Sequence, residues 1–129
     1  MDSEFEQLLQ AAREARENAY APYSHFRVGA ALLTSNGRIF SGCNVENASY
    51  GLTICAERNA IFQMAANGER KISAIAIIGD CDDFLPPCGA CRQVMTEFSD
   101  KDTAVYMCNK NGDYKKLRME EVLPFAFSL

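Results

Sequence analysis

Three cysteines constrain this chain more than any other feature. Cys55 stands in TICAERNA (Thr53–Ala60), and Cys88 and Cys91 lie three apart in PPCGACRQ (Pro86–Gln93). Residues three apart on a helix share a face, so the Cys88 and Cys91 sulfurs can reach one ion. Cys55 falls at the start of a second expected helix. Helix N-termini favour anions and lower thiol pKa, so two helix starts aimed at one point can hold three thiolates. Soft sulfur ligands favour zinc over magnesium or calcium.

The ligand count decides what such a zinc would do. Structural sites close with four protein ligands, whereas catalytic sites keep a position for water. The two motifs supply three. Glu57, two residues after Cys55, projects from a different side of its helix. It is a poor fourth ligand and a good neighbour, because a carboxylate beside a metal-activated water can move its proton. The competing reading is a structural four-cysteine site completed by Cys43, Cys81 or Cys108. Cys43 and Cys108 fall in or at the ends of expected strands, and Cys81 lies in a loop before Cys88.

The elements around these motifs can be read from periodicity. Ser3 and Glu6 form a capping-box pattern, and Phe5, Leu8, Leu9, Ala12, Ala15 and Ala19 recur at helical spacing, predicting a helix from Ser3 to Ala19. Apolar stretches over Arg27–Thr34 and Arg38–Cys43 flank Asn36-Gly37, a hairpin signal because both residues accept positive φ. CAERNAIFQMAANG predicts a helix with Ala56, Ala60, Ile61 and Met64 on one face and a stop at Asn67-Gly68. ISAIAIIG reads as a strand covered on both faces. CGACRQVMTEF follows as a helix, TAVYMCN as a central strand, YKKLR as an edge strand beyond Asn111-Gly112, and Met119–Leu123 as a short helix. The order α-β-β-α-β-α-β-β-α implies an α/β domain over residues 1–129, with one mixed five-stranded sheet and helices on its faces.

Charge narrows the partners. The 129 residues carry a formal net charge of −4, and no cluster of Lys and Arg offers a phosphate backbone a footprint. No apolar run approaches the ~20 residues needed to span a bilayer. The acidic, polar start MDSEFEQLLQ is unlike a signal peptide. The expectation is a cytoplasmic protein, where spaced cysteines bind metal or do chemistry more often than they form disulfides.

CAERNA with PCGACRQ resembles the zinc-dependent deaminase signature in its three-cysteine form. AYAPYSHFRVGAALLTSNGRIFSGCNVENASYG and EEVLPFAF are also similar to the small homotetrameric cytidine deaminases, so the resemblance covers nearly the whole chain. It implies the three-layer cytidine-deaminase-like fold and hydrolytic deamination of cytidine and deoxycytidine in pyrimidine salvage. One Zn²⁺ per subunit would be held by Cys55, Cys88 and Cys91. Glu57 would take the proton of the attacking water, protonate ring N3, and then protonate the departing amine. The backbone N–H of Ala56 would bond the pyrimidine carbonyl, Asn44 and Glu46 would hold the ribose hydroxyls, and Phe26 would pack against the base. Phe127 would reach a neighbouring subunit's site in a homotetramer.

Physical logic adds detail. Three thiolates and Zn²⁺ sum to minus one, which would blunt the metal's power to acidify water. Arg58 could offset that charge by donating to a thiolate, and Gln93 could bond a ligand sulfur in the same way. The amide and carboxylate of NVEN supply the donor and acceptor that a ribose needs. That pair favours a nucleoside over the antibiotic substrate of the related blasticidin deaminases. His25, the one histidine, reads as an exposed loop residue. Phe125 departs from the small residue common in the family between that proline and alanine. Two rivals remain: a deaminase of another aminopyrimidine, and a non-catalytic zinc-stabilised interaction domain. A nucleic-acid-editing deaminase fits the acidic charge poorly.

Overall fold

The computed structural model describes residues 3–129. Its elements follow the order α1 (Ser3–Glu17), β1 (Val28–Thr34), β2 (Ile39–Cys43), a 3₁₀ turn at Tyr50–Leu52, α2 (Ala56–Ala66), β3 (Ile72–Gly79), α3 (Gly89–Glu97), β4 (Ala104–Cys108), β5 (Tyr114–Arg118) and α4 (Met119–Val122). The strands form one sheet in the order β2-β1-β3-β4-β5. Only β3 and β4 run parallel. That pair is joined by α3, as a parallel connection requires. The mixed five-stranded sheet with helices on both faces is therefore present.

Side chains alternate across the sheet and build two cores. On one face, Phe5, Leu8, Leu9 and Ala12 of α1 pack against Ala31, Ala74, Ala76, Ile78 and Tyr106. On the other, Ala30, Leu32, Ile75, Ile77 and Val105 meet Ala56, Ala60, Ile61 and Met64 of α2 and Cys91 and Met95 of α3. The run over β3 is continuous because Ile72, Ile75 and Ile77 serve one core while Ala74, Ala76 and Ile78 serve the other. The expected buried face of α2 is the observed one. Gly42 of β2 lets α2 approach to backbone contact: a Cβ there would stand 2.5 Å from the Ala60 nitrogen and 2.9 Å from the Ala56 carbonyl oxygen.

Several expectations change in detail. Ser3 is itself helical, and α1 ends at Glu17, short of Ala19. The chain leaves there because the Tyr20 N–H bonds the Asn44 carbonyl at 3.0 Å. Both Asn-Gly turns close their hairpins, yet only the glycines, Gly37 and Gly112, take positive φ. In each, the glycine N–H bonds the carbonyl three residues back, at 3.0 Å to Thr34 and 3.0 Å to Asn109. That is the type I turn followed by a left-handed glycine, where the asparagine needs no left-handed conformation.

Candidate metal centre

The metal centre sits where α2 and α3 begin on the same side of the sheet. Cys55 is the residue capping α2, and Cys88 caps α3. The Cys88 sulfur accepts the Cys91 backbone N–H at 3.4 Å, so a helix-start donor points at a ligand atom, as the charge argument requires. Cys55 Sγ lies 3.7 Å from Cys88 Sγ, and Cys88 Sγ lies 3.2 Å from Cys91 Sγ. All three sulfurs fall within 4.8 Å of one another. Zn–S bonds of about 2.3 Å at tetrahedral angles put sulfurs roughly 3.8 Å apart, so the group fits zinc.

Among the described residues, no fourth Cys, His, Asp or Glu joins this group. Cys43 and Cys108 cannot, because the sheet separates them from it. Cys108 packs in the α1 core, and Cys43 pairs with Gly29, whose open side meets α1. Cys81 donates instead to the Asp83 carbonyl at 3.2 Å. The four-cysteine alternative therefore loses each of its candidates.

Charge in the group is shared unevenly. The Cys55 thiol is drawn down to about 5, first by S–H donation from Cys91 and further by Arg58. The Cys91 thiol is held up by that same hydrogen bond to Cys55, with burial and the Glu57 charge adding. Arg58 Nη2 lies 3.6 Å from Cys55 Sγ. Glu57 is 4% exposed, and burial raises the pKa of its carboxyl. It is a poor resident carboxylate and a good proton carrier.

A cleft of about 300 Å³ opens beside the sulfurs. Cys55, Cys88, Glu57 and Ala56 line its floor, and Phe26, Asn44 and Glu46 contribute to its walls. Ala56 opens α2, where a backbone N–H has no helical carbonyl to bond. Asn44 is buried, accepting from the Val28 N–H at 2.9 Å and donating to the Phe26 carbonyl at 2.9 Å. An amide has further donor and acceptor capacity. Glu46 accepts from the backbone N–H groups of Tyr23 and Ser24 at 3.0 and 3.1 Å.

Two expected residues stand apart from the cleft. Gln93 does not reach a ligand sulfur; its amide donates to the Phe127 carbonyl at 3.2 Å, because it points along α3 toward the C-terminal segment. The Phe127 ring is 68% exposed and lines no part of its own chain's cleft.

Comparison with known proteins gives these features a family. The model of the cytidine and deoxycytidylate deaminase zinc-binding region matches residues 2–107. The chain belongs to the cytidine and deoxycytidylate deaminase family. It is 52% identical over 121 residues to the cytidine deaminase of Halalkalibacterium halodurans, covering 94% of this chain and 92% of that protein. A probable cytidine deaminase of Dictyostelium discoideum is 53% identical over 126 residues, 97% of this chain and 84% of that one. The crystal structure of cytidine deaminase from Burkholderia pseudomallei superposes with a TM-score of 0.90 at 51% identity, over 95% of this chain and 98% of its own.

Within the family frame, three residues escaped the sequence reading. Ser24 bonds Glu46. Asn59 Nδ2 donates to the Cys43 carbonyl at 2.8 Å, tying α2 to the end of β2. Arg92 bonds the Pro87 and Val122 carbonyls at 2.8 and 3.1 Å, fixing the segment that enters α3. Arg92 sits between Cys91 and Gln93, so its nearness to a ligand was the available signal. Ser24 and Asn59 carried none.

Proposed function

We propose that residues 1–129 act as one zinc-dependent deaminase domain that hydrolyses free cytidine and deoxycytidine to the uridine nucleosides and ammonia. The supporting observation is the three-sulfur group, fit for zinc and one ligand short of closure, beside a buried Glu57 in a nucleoside-sized cleft. The names of its relatives agree. Bound there, zinc would lower the pKa of a water and make it a nucleophile at neutral pH.

The chain supplies the rest. Glu57 takes a proton from the attacking water and delivers it to ring N3. It then takes the remaining proton of the hydroxyl now on C4 and gives it to the departing amine, so the water's two protons end on N3 and on ammonia. Its burial-raised pKa suits a group that must both hold and release a proton. Arg58 offsets the excess negative charge of the thiolates from its place at Cys55. The Ala56 N–H orients the pyrimidine carbonyl, Phe26 packs on the base, and Asn44 and Glu46 bind the ribose.

The assembly we propose is a homotetramer in which Phe127 completes a neighbour's site. Phe125, Phe127 and Leu129 are all exposed on the single chain. We place the protein in the cytoplasm; no helix of the described residues is long and apolar enough to cross a membrane.

The test is ammonia release from cytidine and deoxycytidine, repeated after chelation and after zinc is restored. Turnover lost and regained with the metal is the expected result. A folded, zinc-loaded protein inactive on both would overturn the reading, and activity on other aminopyrimidines would then redirect it.

A further inference from the structure

We infer that Ser24 is a positioning residue of the nucleoside site, its hydroxyl locking the ribose-binding carboxylate of Glu46 to the base-contacting Phe26. The inference rests on the cytidine deaminase reading above and extends it to a residue with no assigned role.

The network is continuous. Ser24 Oγ donates to Glu46 Oε2 and accepts the Phe26 backbone N–H at 3.0 Å. The Phe26 carbonyl accepts from Asn44 Nδ2, and Asn44 Oδ1 accepts from Val28. One hydroxyl therefore joins Glu46, expected on the sugar, to Phe26, expected on the ring, and the Phe26 carbonyl carries the chain on to Asn44. His25, between Ser24 and Phe26, holds φ at 57°. A non-glycine residue adopts that left-handed conformation rarely and persists in it only where surrounding bonds impose it.

Ser24 also limits what Glu46 can accept. A carboxylate offers about four acceptor positions. The N–H groups of Tyr23 and Ser24 occupy Oε1, and the Ser24 hydroxyl occupies one position on Oε2. One position remains, enough for a single sugar hydroxyl. These hydrogen bonds hold the Glu46 carboxyl below its usual range, so it meets the sugar as an anion. Ser24 is exposed and belongs to neither core, so deleting its hydroxyl opens no cavity. Its contacts serve the cleft.

The test compares wild type and Ser24→Ala on cytidine and on 2′,3′-dideoxycytidine, which lacks both ring hydroxyls of the sugar. We expect S24A to lower kcat/KM for cytidine roughly 10- to 100-fold, mainly through KM, the effect of losing a hydrogen bond to a charged group. On dideoxycytidine the loss should stay under about 5-fold, because no hydroxyl reads the displaced carboxylate. Ser24→Thr, which keeps the hydroxyl, should restore cytidine turnover, and Ser24→Val, isosteric with that threonine but without the hydroxyl, should not. Equal losses of S24A on both nucleosides, or equal behaviour of S24T and S24V, would overturn the inference. The S24T and S24V pair decides the matter even if S24A folds poorly. Wild type inactive on cytidine would overturn the functional reading and this inference together; equal penalties in an active enzyme would overturn this inference alone.

Discussion

Gly42→Ala tests whether close packing of α2 on β2 sets the geometry of the site. The added methyl would lie 2.5 Å from the Ala60 nitrogen and 2.9 Å from both the Ala56 oxygen and the Asn59 carbonyl carbon. All three are backbone atoms, so no side chain can swing aside. Ordinary contact begins near 3.4 Å, and α2 would have to retreat by about 1 Å. Overpacking of this kind costs about 1–3 kcal/mol. For a domain of this size that is a fall in Tm of roughly 4–12 °C. The same retreat carries Cys55 and Glu57 away from α3, which bears Cys88 and Cys91. A displacement of about 1 Å at reacting groups costs on the order of 100-fold in rate. Thermal melting and ammonia release, measured on zinc-loaded protein, report the two effects. A Tm within 1 °C of wild type with unchanged kcat would refute the claim that this contact positions the site.

Other outcomes follow from the same geometry. Glu57→Gln should keep fold and zinc while losing on the order of 10²- to 10⁴-fold in kcat; metal analysis beside turnover checks both halves. Cys88→Ser should lose zinc, and full metal content by elemental analysis would remove Cys88 from the ligand set. Acid should weaken the fold through Asp80. Burial pushes its carboxyl up, but hydrogen bonds and charge from Arg27 outweigh that, and the net direction is below the ordinary 3.8. Its contribution is therefore complete above pH 3.8 and disappears as pH falls through the lower folded-state value. Urea midpoints of wild type and Asp80→Asn, followed downward from pH 5, should converge in that window.

How much of this was legible in the sequence depended on whether local chemistry or distant packing decided the outcome. The α2 face and the doubly covered β3 followed from periodicity, because burial selects the same residues that the pattern marks. The metal group was legible because two ligands share a helix start and the third begins another helix. The fourth-ligand question was not: only the sheet, by placing Cys108 and Cys43 on the α1 side, removes them. Gln93 was misplaced because spacing along α3 cannot show that the C-terminal segment passes close enough to take its amide. The Asn-Gly turns gave the hairpins but misstated their conformation, since asparagine permits a left-handed φ without requiring it. Ser24 stayed invisible because its partner, Glu46, lies 22 residues away.

The central claim is that three sulfurs hold one zinc with a position left open beside Glu57. X-ray absorption at the zinc edge of the purified protein tests it most directly. Three sulfur scatterers at ~2.3 Å and one lighter atom at ~2.0 Å are expected. Four sulfurs around the metal would contradict it and return the site to a structural role.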